Sequence, residues 1–427
     1  MNAFVETEIG YLPKTWQLQR LGDVFETQLG KMLSQKAHGG DAPRPYLRNK
    51  NVQWGSIDTS DMLQMDFSER EKAKFQLRSG DLLVCEGGFP GRSAIWNGTI
   101  KECYYQKALH RLRPRNDSMI NKFMLHWLRF AFDLQNLYGV AGASSTIAHL
   151  PEAQLKALSI PVPPVAEQRK IAEVLGLVQR ALEQQEQLIA LTTELKKTLL
   201  HQLFTQGLRG ESQKQTEIGP VPESWEVVPL EGVAKIERGK FSHRPRNEPR
   251  FYGGQTPFVQ TGDVSSCDGR IREYSQTLNE EGVLISKVFP AGTILITIAA
   301  NIGFSGILEF DSACPDSLIG LTPNERIDVE FLQHYLTTQQ PVMDRLAPRG
   351  TQKNINIQFL KPWLVPLPSS DEQSEIREAL NAVDSKTRVA RRKHAALTAL
   401  FRTLLHQLMT AQLRVHNLDL RELEAIE

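Results

Sequence analysis

The sequence predicts an α+β chain: two duplicated α/β domains separated by two long antiparallel coiled-coil helices, with pseudo-two-fold character. Three observations predict it. An internal repeat runs the length of the chain, each copy carries short β-branched runs bounded by turn residues, and an apolar helical stripe follows each copy. At 427 residues the chain is too long for one ordinary domain and suits two to four.

The repeat is clearest at the start of each copy. Thr7 to Lys31 aligns without a gap on Thr216 to Lys240, with ten of 25 positions identical, among them Pro13/Pro222, Trp16/Trp225, Leu21/Leu230 and Gly30/Gly239. PYLRNKNV from Pro45 matches PFVQTGDV from Pro257, and SGDLLV ending at Val84 matches AGTILI ending at Ile296. NKFMLHWL from Asn121 matches VEFLQHYL from Val329, and TLLHQL begins at both Thr198 and Thr403. The offset between copies stays between 205 and 212 residues.

Each copy opens with a mixed globular part, residues 1–163 and 216–368. Runs such as GDLLV and GTILITIA between Gly, Asn and Asp read as strands. A helical stretch follows, and the part closes on a proline knot, IPVPPVAEQ (Ile160 to Gln168) or VPLPSSDEQ (Val365 to Gln373). Proline there fixes an extended entry and then permits a helix start. Ser370 or Asp371 can cap the second helix, and Glu167 and Glu372 sit where the helix dipole favours a carboxylate.

Helices are expected at 164–207 and 369–412, with a linker at 208–215 and a C-terminal tail at 413–427. The apolar stripe places Ile171, Leu175, Val178, Leu182, Ile189 and Leu199 on one helix, with Leu195 in the same series. The other carries Ile376, Leu380, Val383, Leu397 and Leu404, with Leu400. One such helix alone would leave its stripe wet, whereas two can bury it against each other, antiparallel because a globular part lies between them in the chain. At ~1.5 Å per residue, about 40 residues make a rod of roughly 60 Å. The competing arrangement has each helix packed on its own domain.

Composition narrows the class. Apolar residues are 41% and charged residues 23%, a globular balance. The four cysteines, Cys85, Cys103, Cys267 and Cys314, lie far apart with no CxxC pair, as expected of thiols in a reducing cytosol. The N-terminal residues lack an apolar signal-peptide core, and no run reaches the ~18 apolar residues of a membrane span. A soluble, cytoplasmic setting is expected, with no membrane partner.

The net charge of +1 does not by itself favour a nucleic-acid partner, and residues 216–368 are net acidic, with 14 basic and 18 acidic side chains. The positives are nevertheless bunched. Lys235, Arg238, Lys240, Arg244, Arg246 and Arg250 fall within 16 residues, interleaved with His243, Phe251 and Tyr252. In the first copy Arg44, Arg48 and Lys50 lie beside Asn49, Asn51 and Trp54. Such mixtures suit phosphate contact and base-edge readout, since Arg pairs with guanine and Asn with adenine. Lys31 and Arg92 join the candidates. A polar loop before a Leu-Lys step also recurs, bringing in Ser144, Ser145, Lys353 and Asn354 as groups that could grip phosphates. Taken singly, each basic cluster is more often a solvated loop, and recurrence at matching places brings the two readings level; the polar loop reads equally as an ordinary loop before an edge strand.

Catalytic signatures are missing. There is no GxxxxGK[ST], no HExxH, no GxSxG and no Asp/Asn-Pro-Pro-aromatic element, and His110, His126 and His334 have no metal-ligand spacing. The chain is expected to be non-catalytic, with no metal site and no cofactor of its own.

PVPPVAEQRKIAEVL, LLHQLFTQGLRGESQKQTEIGPVPESWEV and PLPSSDEQSEI, with the proline–Glu-Gln helix entry occurring twice, resemble the DNA-specificity (S) subunit of type I restriction-modification systems. The resemblance covers essentially the whole chain. It implies two target-recognition domains, each reading one half of an asymmetric bipartite site in double-stranded DNA. It also implies that the helices act as a ruler and as the dock for two methyltransferase (modification) subunits, joined by restriction subunits in complexes that cleave. S-adenosylmethionine, ATP and Mg would then belong to those partners. The alternative reading is a coiled-coil protein-interaction scaffold with two peptide- or protein-binding heads.

Overall fold

The computed structural model describes residues 4–33, 42–139, 149–243, 247–299, 301–348 and 353–415. They fall into two compact units, residues 1–186 with 392–427, and residues 187–391. The division cuts both long helices, so each unit holds one globular part and half of each helix.

In the first unit, β1 (Phe4–Thr7) and β2 (Gly10–Pro13) form a hairpin, and β3 (Gln17–Arg20) later pairs with β11 (Ser159–Val162). An antiparallel sheet runs in the order β4 (Phe25–Leu29), β10 (Leu109–Pro114), β7 (Leu82–Cys85), β8 (Ser93–Ile95). A smaller mixed sheet has β5 (Arg44–Leu47) at its centre, antiparallel to β6 (Leu63–Met65) and parallel to β9 (Tyr104–Tyr105).

The second unit repeats the plan. Its hairpin is β12 (Gln213–Thr216) and β13 (Gly219–Pro222), and β14 (Glu226–Pro229) pairs with β24 (Leu364–Leu367). The larger sheet runs β15 (Ala234–Arg238), β23 (Leu318–Pro323), β20 (Ile294–Thr297), β21 (Ser305–Leu308), β17 (Arg270–Ile271). The smaller centres on β16 (Tyr252–Phe258), antiparallel to β18 (Gln276–Leu278) and parallel to β22 (Ser312–Cys314), with β19 (Lys287–Phe289) beyond.

The repeated residues explain themselves locally. In each Thr-Glu-Ile-Gly hairpin the threonine hydroxyl donates to the glycine carbonyl (Thr7 to Gly10, 2.6 Å; Thr216 to Gly219, 2.7 Å), and both glycines are left-handed. A Cβ on Gly30 would fall 2.3 Å from the Gln106 carbonyl oxygen, and one on Gly239 2.2 Å from that of Pro315, so only glycine fits where the strand passes this close. Trp16 and Trp225 are buried, and each donates its indole N–H to the glutamate of the Glu-Gln pair, Glu167 at 3.0 Å and Glu372 at 3.1 Å. The glutamines span the neighbouring backbone. Gln168 accepts from Ile120 N and donates to Ser118 and Pro163 carbonyls; Gln373 accepts from Asp328 N and donates to those of Arg326 and Pro368.

The central helix spans Val165–Gln206 and the distal helix Ser370–Met409. Gly207, at φ +61°, ends the first. The distal helix was expected to reach residue 412 but stops three residues earlier, where Ala411 takes φ +53°. Within each unit the two helix segments run antiparallel: Glu167 meets Arg414 and Glu186 meets His394 in the first, and Lys196 meets Asp384 and Arg209 meets Glu375 in the second.

Ile171, Leu175 and Val178 join Phe401, Leu405, Leu408, Met409, Ala411 and Val415 in one core with Leu12 and Trp16 of the globular part. Leu200, Leu203 and Phe204 do the same with Ile376 and Leu380 in the second unit. Leu182, Leu199, Leu397 and Leu404 pack partly buried at the edges, and Ile189 and Val383 are half-buried. The stripe is thus shared between the partner helix and the globular part of the same unit. It does not persist: Leu195 and Leu400 are exposed, while Gln185, Thr192, Thr387 and Ala390 are buried instead. No helix among the described residues is long and apolar enough to cross a membrane.

Candidate nucleic-acid interface

The candidate residues of the first unit gather where β5 ends. Leu47 closes the strand, and Asn49–Asn51 form a single helical turn. The Arg48 backbone N–H donates to Asn51 Oδ1 at 2.9 Å, and Asn51 Nδ2 donates to the carbonyls of Asp58 and Asp61. Asn51 is buried, and its side chain builds the turn. The Arg48 guanidinium bonds both the carbonyl and carboxylate of Asp61, and Lys50 reaches the same carboxylate at 2.7 Å. These bonds hold the Asp61 carboxyl below the usual carboxylate range.

Arg92 extends the patch. It donates to the Asn49 carbonyl at 2.8 Å and to Gln53 Oε1 at 3.3 Å, and lies 4.6 Å over the exposed Phe89 ring. Other candidates, like Arg48 and Lys50, bond within the chain. Lys31 is largely buried, bonded to Glu71 and the Asp66 carbonyl, and Arg44 pairs with Glu102 at 2.8 Å. Trp54 packs against the core. Ser144 and Ser145 lie outside the described residues.

In the second unit Arg244 and Arg246 likewise lie outside the described residues. Arg238 donates to the Asp316 carbonyl, Lys240 is exposed, and Lys353 pairs with Asp344 beside exposed Asn354. The aromatic members assemble more tightly. Arg250 lies 4.5 Å over the Phe251 ring, and the His243 ring sits 4.8 Å from it. Phe241, Tyr252 and Phe258 pack together and line an open cavity of about 320 Å³ whose rim carries Gln260, Ser275 and Gln276. These rim residues were missed because they are uncharged and 16 positions apart. The repeat held the signal, since PYLRNKNV against PFVQTGDV sets Gln260 on Arg48.

Acidic partners hold many of the cations in place. A recess of about 400 Å³ between Gly303–Ser305 and the helix pair of the second unit follows this rule, with Lys196 paired to Asp384 and Arg388 near Asp268. Burial lowers His126 to about 3 and His334 to about 4, so both are neutral. It also pushes the thiols of Cys85, Cys103 and Cys314 up to about 11, 12 and 12, far from thiolate character. Among the described residues no cluster of three His, Cys, Asp or Glu side chains could hold a metal ion.

Known proteins carry the same plan. The type I restriction modification DNA specificity domain matches residues 13–193 and again 222–399. The chain is 28% identical over 421 residues to the MjaX type I restriction enzyme specificity subunit of Methanocaldococcus jannaschii, covering 96% of this chain and 97% of that one. It is 26% identical over 422 residues to the EcoBI specificity subunit of Escherichia coli, covering 88% and 82%. The crystal structure of a type I restriction-modification S subunit from M. genitalium shares the fold at TM-score 0.62 and 18% identity, over 92% of this chain and 96% of that one. With two domain matches that follow the internal repeat, the chain belongs to the type I restriction-modification DNA-specificity family as a specificity subunit with two target-recognition domains.

Proposed function

We propose that this chain is the non-catalytic DNA-reading subunit of a methyltransferase complex, each globular part reading one half of an asymmetric bipartite duplex site. The observation that carries this reading is the repeated corner. One backbone turn, used twice, presents Arg48, Lys50 and Arg92 in one copy and an amide-rimmed aromatic cavity in the other. Two related domains with unlike side chains at matching places suit two unlike half-sites. Lys50 and Lys240, both exposed, would meet phosphates, whose contacts position without specifying sequence.

The helices, 42 and 40 residues long, would set the spacing between half-sites. Their exposed Leu191, Leu195 and Val389 offer apolar surface for docking two methyltransferase subunits, with restriction subunits joining where the complex cleaves. S-adenosylmethionine, ATP and Mg would be bound by those partners.

The test is duplex binding by the chain assembled with its methyltransferase subunits, followed over a salt series. A bipartite footprint whose affinity falls with salt supports the reading. Salt-insensitive association with protein and no DNA shift would replace it with the interaction-scaffold reading.

A further inference from the structure

The two globular parts share one corner and differ in what stands on it. In each, the central strand of the smaller sheet is flanked by an antiparallel and a parallel neighbour and then gives way to a helical turn. The residue at that break is Arg48 in one copy and Gln260 in the other. Its backbone N–H is held by the side chain three positions on, Asn51 Oδ1 at 2.9 Å or Asp263 Oδ2 at 2.7 Å. Because Asn51 and Asp263 fix the backbone, the corner side chain is left to vary.

In the second unit Gln260 Nε2 donates to Gln276 Oε1 at 3.0 Å. Gln276 stands across the strand pair from Phe258, and Ser275 Oγ donates to the same Asp263 carboxylate that holds Gln260. The bond between the two amides orients both. It leaves the Gln260 carbonyl oxygen as an acceptor and the Gln276 amino group as a donor. An acceptor and a donor on one bonded amide pair match the amino group and N7 that adenine shows in the major groove. In the first unit Asp61 holds the Arg48 guanidinium by its carbonyl and carboxylate. That group only donates, which matches guanine O6 and N7.

We propose that this corner is a base-reading position of each domain, with the Gln260–Gln276 amide pair taking an A·T pair and Arg48 taking a G·C pair. The proposal rests on the DNA-reading function argued above.

The experiment uses the full chain assembled with its methyltransferase subunits, selecting from a randomised duplex library whose bound members are sequenced. Wild type should fix adenine at one position of one half-site and guanine at one position of the other. Gln260→Ala and Gln276→Ala should each lower discrimination at the adenine position about tenfold to a hundredfold and leave the other half-site unchanged. Gln260→Arg should move that position toward guanine, and Arg48→Gln should move the guanine position toward adenine. Gln260→Glu, which offers only acceptors and favours cytosine, serves as the second variant if the arginine fails to melt like wild type. Unchanged preferences in variants that melt and bind as wild type does overturn the proposal. A wild-type complex that selects no sequence overturns instead the DNA-reading function on which it rests.

Discussion

Trp225 donates its indole N–H to Glu372 at 3.1 Å, 147 residues further along the chain, and the other oxygen of Glu372 accepts from Leu208 N at 2.8 Å. One buried carboxylate thereby ties the start of the distal helix to the end of the central helix. Trp225→Phe keeps the ring and removes the donor, so we expect a loss of about 1.5–3 kcal/mol for an orphaned charged acceptor. Trp16→Phe should cost less, about 1 kcal/mol, because Arg414 still faces Glu167 at 3.1 Å. Denaturant unfolding with the two units followed separately would measure both.

Stability should fall on mild acidification. His126 and His334 are held neutral, the first mainly by burial and then by Arg129, the second mainly by burial and then by Lys196. Their folded pKa values, about 3 and about 4, lie below that of the unfolded chain. The unfolded chain therefore gains protons first. The stabilisation is complete above about pH 6.5 and is lost as pH falls toward the folded values. Each histidine should cost about 2 kcal/mol by pH 5. His126→Leu should flatten the melting temperature between pH 6.5 and 5.

Glycine is required at the close approach between strands. A methyl at Gly30 or Gly239 would meet a carbonyl oxygen at 2.3 or 2.2 Å. Gly239→Ala should lower stability by about 1–3 kcal/mol, read by thermal melting, with the second unit affected and the first spared.

Inserting one heptad into both long helices, after Glu186 and after Arg391, adds about 10 Å to each. The recognised spacer should lengthen by about 3 bp or binding should be lost; footprinting reads either. An unchanged spacer would end the ruler reading.

Exchanging residues 216–365 for those of a relative should change one half-site only. Removing Lys240, which we propose meets a phosphate, should weaken binding to every sequence and lower the salt slope by about one.

Much of this architecture was legible in the sequence because duplication supplies its own comparison. Trp16 and Trp225, the Thr-Glu-Ile-Gly turns and the Glu-Gln entries stood out by recurring, though their purpose did not, since the tryptophan meets its glutamate only across some 150 residues of chain. Charge was a weaker guide. Lys31 and Asn51 have the residue types of nucleic-acid contacts, yet Glu71 and the turn carbonyls claim them, a competition set by tertiary packing. The helical stripe was traced too far through Leu195 and Leu400, because periodicity does not tell a face covered by a domain from one left to solvent.

The N-terminal globular part shares its core with Phe401, Leu405, Leu408, Met409, Ala411 and Val415, residues the ribosome adds only after all of 187–391. The opposite unit, residues 187–391, is already complete when they emerge. A premature stop codon just past residue 391 would therefore strip the first-made part of its closing helix and leave the later-made part whole. Of the two units, the one begun earlier is the later to be secured.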